Sequence, residues 1–508
     1  SKYGNIAVTQ SQRKSSSLDP SGSVLDQYNF FQNGLLIGSN QEKNFNEQIA
    51  HLSLLQSSTP KKVLLVGQGF NGLINEILKH PVEQIYYLEL DPQLISLTKK
   101  YLSPALTQAL EDPRVKIIFQ DARYFLRKTQ EKFDVVILNV PDPSSLLINR
   151  LYTKEFFKQV KNSLSQQGLI STYVSFSPNY LSKEAINFNA SVYHALKQNF
   201  NQVLVLPLDT NFFFASDQNL IIQPQTIIER FQEREISTNF ITPQWLNYHL
   251  TNDRVEQINT ILSKNQTHPN TDFYPSAYLG NLLFWLKQFH PKIVEVLNNL
   301  KKLRPFYILL FLFLLLVIWR KKFSTKSLAF ITAIPDFTLL GLEILFIFCF
   351  QIFYGYIYHY IALLIASIMF GIALGNYWAW KKIKKTEIKI RSLIIIYSCL
   401  ALLCLFVLIA LKYSLSLWLV APFLAGILIG LEFPLTNALF LKTQKQKEQK
   451  TGLIYSADLI GSCLGAILIP LFLIPFFGVH TTLFFLFGLN ILGVIALYYS
   501  SKTSAVKV

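Results

Sequence analysis

The chain has 508 residues and a formal net charge of +16, so it exceeds what one hydrophobic core normally supports. Residues 1–303 hold 29 Lys/Arg and 25 Asp/Glu, whereas residues 304–508 hold 18 and only 6. In the second part the basic residues cluster in short runs between apolar stretches, which is membrane patterning and speaks against a nucleic-acid partner.

In chain order, residues 62–67 read as a buried strand that runs into GQGFNG at 67–72, and a helix follows over 72–80. Strands are expected at 84–90, 115–121, 133–140 and 168–175, with helices at 92–102, 151–164 and 182–198. Strands alternating with helices imply a doubly wound parallel sheet. The last two strands, 202–208 and 211–217, are too close in sequence for a crossover and must pair as an antiparallel hairpin. The expected fold is therefore α/β Rossmann-like, of the S-adenosylmethionine-dependent transferase type, not that of an NAD dehydrogenase.

Three features fall at the C-terminal ends of successive strands, the edge where such sheets bind ligands. Gly67, Gly69 and Gly72 let backbone approach a ligand and open a helix. Glu89 is placed to accept ribose hydroxyl protons, and Asp121 to hold an adenine amine. The competing reading is structural: the glycines make a tight turn and the acids cap helices.

From residue 304 onward seven spans are expected, at 305–319, 328–352, 361–380, 392–411, 416–440, 452–476 and 481–499, the first of them short for a membrane. Cys349, Cys399, Cys404 and Cys463 all lie in these stretches without a CxxC, which speaks against a disulfide framework or a metal site. The runs RKKFSTK (320–326), KKIKKTEIKIR (381–391) and KTQKQKEQK (442–450) face the cytoplasm by the positive-inside rule. If 305–319 spans, the soluble part lies outside; KKLR at 301–304 argues the other way. Gly371/Gly375, Gly426/Gly430 and Gly461/Gly465 are spaced for close helix packing. Asp336, Glu343, Glu432 and Asp458 sit at membrane depth, where a carboxyl marks either a proton or substrate path or a structural hydrogen bond.

The stretches YGNIAVTQ, FQNGLLIGSNQ, FNEQIAHLSLL, VLLVGQGFNGLINEILKH, YYLELDP, EDPRVKIIFQDARYFL, FDVVILNVPDP and LYTKEFF together resemble the spermidine synthase (polyamine aminopropyltransferase) family. With the helices, the chain is similar to its membrane-fused members. The resemblance implies a small N-terminal β domain (1–58), a Rossmann domain (59–224), a mostly helical extension and linker (225–303) and an all-α multi-pass transmembrane domain (304–508). It also implies decarboxylated S-adenosylmethionine as donor and a diamine as acceptor. Relatives commonly carry further helices ahead of the soluble domain. The only methionine is Met369, so two readings of the start stand, initiator removal and an upstream membrane segment.

The amine-handling residues depart from the family pattern. In the glycine loop Phe70 stands where the family has an Asp, with Gln68 and Asn71 for two glycines. Asn139 replaces the catalytic Asp of DxxDP, leaving Asp142 and Pro143, and an amide takes no proton at neutral pH. Phe45 and Asn46 replace Tyr and His ahead of Glu47, and no tyrosine is evident in the last hairpin. Asp142 and Glu47 are the remaining candidate bases. The expectation is a membrane-tethered protein of the bacterial inner membrane with the lipid bilayer, and further membrane subunits, as its surroundings. If active, it is a transferase of alkyl (aminopropyl-like) groups using S-adenosylmethionine, decarboxylated S-adenosylmethionine or a related nucleoside, with no covalent cofactor. The alternatives are a catalytically silent nucleoside-binding or scaffold domain, and a transporter.

Overall fold

The computed structural model describes residues 1, 3–11, 26–176, 181–300, 305–319, 331–355, 358–410, 417–442 and 447–502. The chain forms two compact units, Ser1–Asp272 with Ser276–Gln288, and Phe273–Pro275 with Phe289–Val508.

The first unit begins with a three-stranded antiparallel sheet, β1 (Ile6–Ser11), β2 (Gln27–Gln32) and β3 (Leu35–Ser39). Asn33 and Gly34 join β2 to β3 with φ of 52° and 80°, the positive pair that a two-residue hairpin with right-handed twist requires. A buried helix, Lys43–Leu54, follows. The main sheet has seven strands: β4 (Lys62–Gly67), β5 (Gln84–Leu88), β6 (Val115–Ile118), β7 (Phe133–Asn139), β8 (Leu164–Ser175), β9 (Gln202–Pro207) and β10 (Thr210–Ser216), in the order β6-β5-β4-β7-β8-β10-β9. The strands from β4 to β8 run parallel, and β10 pairs antiparallel with both β8 and β9. The expected Rossmann-like sheet closed by a hairpin is thus what the chain forms.

Alternation splits each central strand between two cores, because successive side chains point to opposite faces. Val63, Leu65, Tyr87 and Ile137 pack on one face, and Leu64, Val66, Leu88 and Leu138 on the other. β8 starts at Leu164, earlier than the expected 168. Leu164 pairs with Phe133, but the next pair is Leu169 with Val135, so a bulge at 165–168 takes up the extra residues. Gly168 makes it fit, since a Cβ there would lie 2.8 Å from the Phe133 carbonyl oxygen.

One polar chain crosses the core of this unit. Arg234 Nη1 lies 3.0 Å from His80 Nδ1, His80 Nε2 lies 2.9 Å from His51 Nδ1, and His51 Nε2 lies 3.1 Å from Glu76 Oε2. A guanidinium only donates, so His80 accepts at Nδ1 and donates at Nε2, as a neutral imidazole. Burial, with the positive charge of Arg234 and Lys79 nearby, pushes the His80 imidazole well below its ordinary value of 6.5. The unfolded chain therefore takes up a proton near 6.5 that the folded chain refuses. Stability of this unit is expected to be full above about that pH and to fall below it. Urea midpoints at pH 7.5 and pH 5.5 measure this, and His80→Phe should flatten the difference.

In the second unit five stretches among the described residues are long and apolar enough to cross a membrane: Ala333–Tyr354, Ile361–Lys385, Ile390–Ala410, Val420–Leu439 and Gly452–Ser501. The number differs from the seven expected for two reasons. Gly452–Ser501 is 50 residues long and holds two of the expected spans, parted where Gly478 leaves helical geometry (φ 78°, ψ 170°). The helix Pro305–Trp319 has 15 residues, roughly 22 Å of rise against a core of about 30 Å. The runs at 301–304, 320–326 and 443–446, and the start of the span at 328–352, lie outside the described residues.

The glycine pairs set the tightest contacts. Gly371 and Gly375 meet the backbone of Phe423–Leu431, and Gly426 and Gly430 meet Ile368–Ile372. The two stripes thus face each other, in the way small residues let helices touch backbone to backbone. Gly461 and Gly465 abut Ala333 and Phe337 in the same manner. Three of the four membrane acids come together. The carboxyls of Asp336 and Asp458 interact, and buried Glu432 beside them accepts from Thr436 Oγ1 at 2.7 Å and Tyr397 Oη at 3.5 Å. Glu343 is half-buried and apart from this group.

Candidate functional site

The glycine loop takes its shape from close backbone approach. Gly67 has φ of 95°, and a Cβ on it would lie 2.2 Å from the Asn139 carbonyl oxygen. That oxygen also accepts from Gln68 N at 2.8 Å, so the loop is bound to the end of β7. Gly72, with φ of 105°, opens a helix that is short, Leu73–Ile77. Gly69 N donates to Tyr87 Oη at 3.2 Å, and Tyr87 Oη donates to Glu89 Oε2 at 3.3 Å. Glu89 Oε1 accepts from Asp91 N at 2.9 Å. Burial pushes the Glu89 carboxyl up to about 7 despite these donors.

Asp121 caps the helix Ala122–Lys128, accepting from Arg123 N at 3.0 Å and Tyr124 N at 3.2 Å. It also forms a buried ion pair with Arg150. Behind it Arg123 pairs with Asp272, with Nη2–Oδ1 at 2.5 Å, and donates to Thr153 and the Arg150 carbonyl. The cap reading and the ligand reading of Asp121 therefore coexist: one oxygen caps, and the other meets a guanidinium.

A cavity of about 520 Å³ opens here. Of the residues named from sequence, Gly67, Glu89, Asp121 and Asn139 line it, while Gly69, Gly72, Glu47 and Asp142 do not. The hairpin between β2 and β3 supplies Gln32, Asn33, Gly34 and Leu35, and Arg150 closes another side.

The amine-handling positions lie elsewhere or are occupied. Asn139 donates through Nδ2 to the Gln68 carbonyl and accepts at Oδ1 from Tyr173 Oη at 2.8 Å, so both ends of its amide are engaged. Glu47 is fully buried and accepts from Asn239 N, Phe240 N and Ile241 N at 2.9, 2.8 and 3.1 Å. It anchors that loop and faces no cavity. Asp142 accepts from Ser175 N at 3.0 Å and Asn281 Nδ2 at 3.2 Å, and burial raises its carboxyl above the usual range. Phe70 is wholly buried, edge-on to Phe30 at 5.1 Å and pressed against Gly38. Its ring fills core between the glycine loop and the small sheet, outside the cavity.

Sequence reasoning missed Arg150, Tyr173 and the hairpin residues. Arg150 precedes LYTKEFF without any spacing that ties it to Asp121. Tyr173 stands on β8, not in the hairpin where a tyrosine was sought, and it packs against Phe45 at 4.9 Å and Phe212 at 5.9 Å.

The family model of the spermine/spermidine synthase domain matches residues 42–212. The polyamine aminopropyltransferase of Korarchaeum cryptofilum is 31% identical over 216 residues, covering 40% of this chain and 64% of that protein. That of a Thermoanaerobacter species is 37% identical over 153 residues, covering 29% and 54%. The chain thus spans between about half and two thirds of these relatives' length. Among solved structures, spermidine synthase from Thermotoga maritima overlays with a TM-score of 0.38 and 22% identity, over 46% of this chain and 80% of that one. Residues 42–212 thus match the spermine/spermidine synthase domain, and the same polypeptide carries an apolar helical unit with membrane-length helices.

Proposed function

We propose that the soluble domain binds an adenosyl nucleoside in the cavity between Glu89 and Asp121 and does not transfer aminopropyl groups to diamines. The observation that carries this is the Asn139 amide, held at both ends where transfer requires a carboxylate to take the amine proton. Glu47 and Asp142 do not replace it, since each is bonded to protein donors and neither lines the cavity. Nucleoside binding draws on Gly67, Glu89 and Asp121 at one sheet edge. Incubating the purified full chain with decarboxylated S-adenosylmethionine and a polyamine panel is expected to yield no methylthioadenosine, while calorimetry detects an adenosyl ligand. Turnover at a rate typical of enzymes would restore the transferase reading.

Ligand affinity should depend on pH through Glu89. Ribose hydroxyls donate to its ionised form, whose folded value lies near 7. Affinity is expected to be constant well above that pH and to weaken below it by up to about tenfold per unit. Titrations at pH 6 and pH 8 measure this, and Glu89→Gln should be flat.

We further place the soluble domain on the side opposite the basic loops, a placement that requires the 15-residue helix Pro305–Trp319 to span the membrane. Reporters fused near residue 20 and residue 323 should then give opposite signals.

A further inference from the structure

We infer that the cavity selects a nucleoside whose 5′ end carries no ammonium group, an uncharged thioether nucleoside in preference to a cationic sulfonium donor. The inference rests on the nucleoside reading above and specifies its ligand.

The argument is the charge of the wall. Around the glycine loop the polar side chains are Gln68 and Asn139, with Gln32 and Asn33 opposite on the hairpin. All four are amides. Among the described residues the lining holds two carboxyls and one cation. Glu89 is the acceptor for the ribose hydroxyls and also holds Asp91 N and Tyr87 Oη, and Asp121 is paired with the Arg150 guanidinium. An ammonium entering this space would give up hydration and find amide dipoles and a fixed positive charge in place of a carboxylate partner, and a charge desolvated without a partner is strongly disfavoured. Two acids near the loop, Glu42 and Asp142, are turned to protein donors and are not part of the wall. Conversely, Leu35, Ile37, Val66 and Val140 give the same region apolar surface, which suits an uncharged methylthio group and offers nothing to an amine.

The test is calorimetry on the detergent-solubilised full chain at pH 8, where Glu89 is ionised. Methylthioadenosine, decarboxylated S-adenosylmethionine and adenosine 5′-monophosphate serve as probes. Methylthioadenosine is expected to bind at least roughly tenfold tighter than either charged probe. Asn139→Asp, and separately Gln68→Glu, should shift the preference toward the cationic probe by a similar factor. Gln68→Glu leaves the backbone carbonyl that Asn139 uses intact, so it is informative even if Asn139→Asp fails to fold. Decarboxylated S-adenosylmethionine binding as tightly as methylthioadenosine overturns the inference and leaves the nucleoside reading standing, and the monophosphate binding tightest does the same. Binding of none of the three overturns the nucleoside reading itself.

Discussion

Arg123→Ala is expected to destabilise the first unit by about 3–5 kcal/mol, the usual cost of stranding one member of a buried ion pair. Arg123 is 1% exposed and is among the largest fully buried side chains. Its guanidinium meets Asp272 through two nitrogens, at 2.9 and 2.5 Å, and reaches Thr153 Oγ1 at 2.6 Å. Without it, Asp272 is left without its guanidinium partner in a buried site that also holds Glu155, whose carboxyl is already raised by burial and by Asp272. The loss reaches the cavity, because Arg123 also binds the carbonyl of Arg150 and so holds the backbone from which the Asp121 partner extends. The midpoint of urea unfolding measures the cost. The double variant Arg123→Met/Asp272→Asn should recover much of it, since removing both charges leaves no unpaired ion. Full stability of Arg123→Ala would show that the pair is worth nothing net.

Gly426→Leu is expected to be the most damaging single change in the helical unit. A mere Cβ at Gly426 would sit 2.3 Å from the Ile368 carbonyl oxygen and 3.1 Å from Ile372 N, and at Gly371 across the contact 2.4 Å from the Phe423 carbonyl oxygen. These are backbone atoms of helices Tyr358–Lys385 and Leu417–Lys442, so no rotamer change relieves the clash and the helices must part. Overpacking of this kind costs about 1–3 kcal/mol, and in lipid the lost contact is the main force between helices. The measurement is the yield of monodisperse protein in detergent and its thermal aggregation temperature. Gly452→Leu is the control, since nothing lies near a Cβ there.

The fold was legible because it is written in periodicity. Runs such as KVLLVG and FDVVILN carry continuous apolar character that only a buried strand accepts, and the short gap between β9 and β10 forced their hairpin. The bulge at 165–168 was not legible, since it comes from register with a strand thirty residues away. The site was half legible. Gly67, Glu89 and Asp121 declared themselves through position at strand ends. The fates of Glu47 and Asp142 did not, because they depend on amides brought from residues 239–241 and from Ser175 and Asn281. Phe70 reads in sequence as a side chain aimed at a ligand; the fold turns it into core against Phe30 and Gly38. In the membrane part hydropathy marks each apolar stretch but not a break inside one, so only the backbone at Gly478 divides the 50-residue run.

The Asn33–Gly34 hairpin belongs to the small sheet, yet it forms one side of a cavity whose other sides belong to the Rossmann sheet. The cavity is therefore composite. Protein cut to begin after β3 would keep the buried helix Lys43–Leu54, the glycine loop, Glu89 and Asp121 but present the acids on an open groove. Water would then reach both acids, the burial that lifts Glu89 would lapse, and the discrimination between charged and uncharged ligands would fade with it. The selectivity proposed above would thus belong to the Asn33–Gly34 hairpin as much as to the glycine loop.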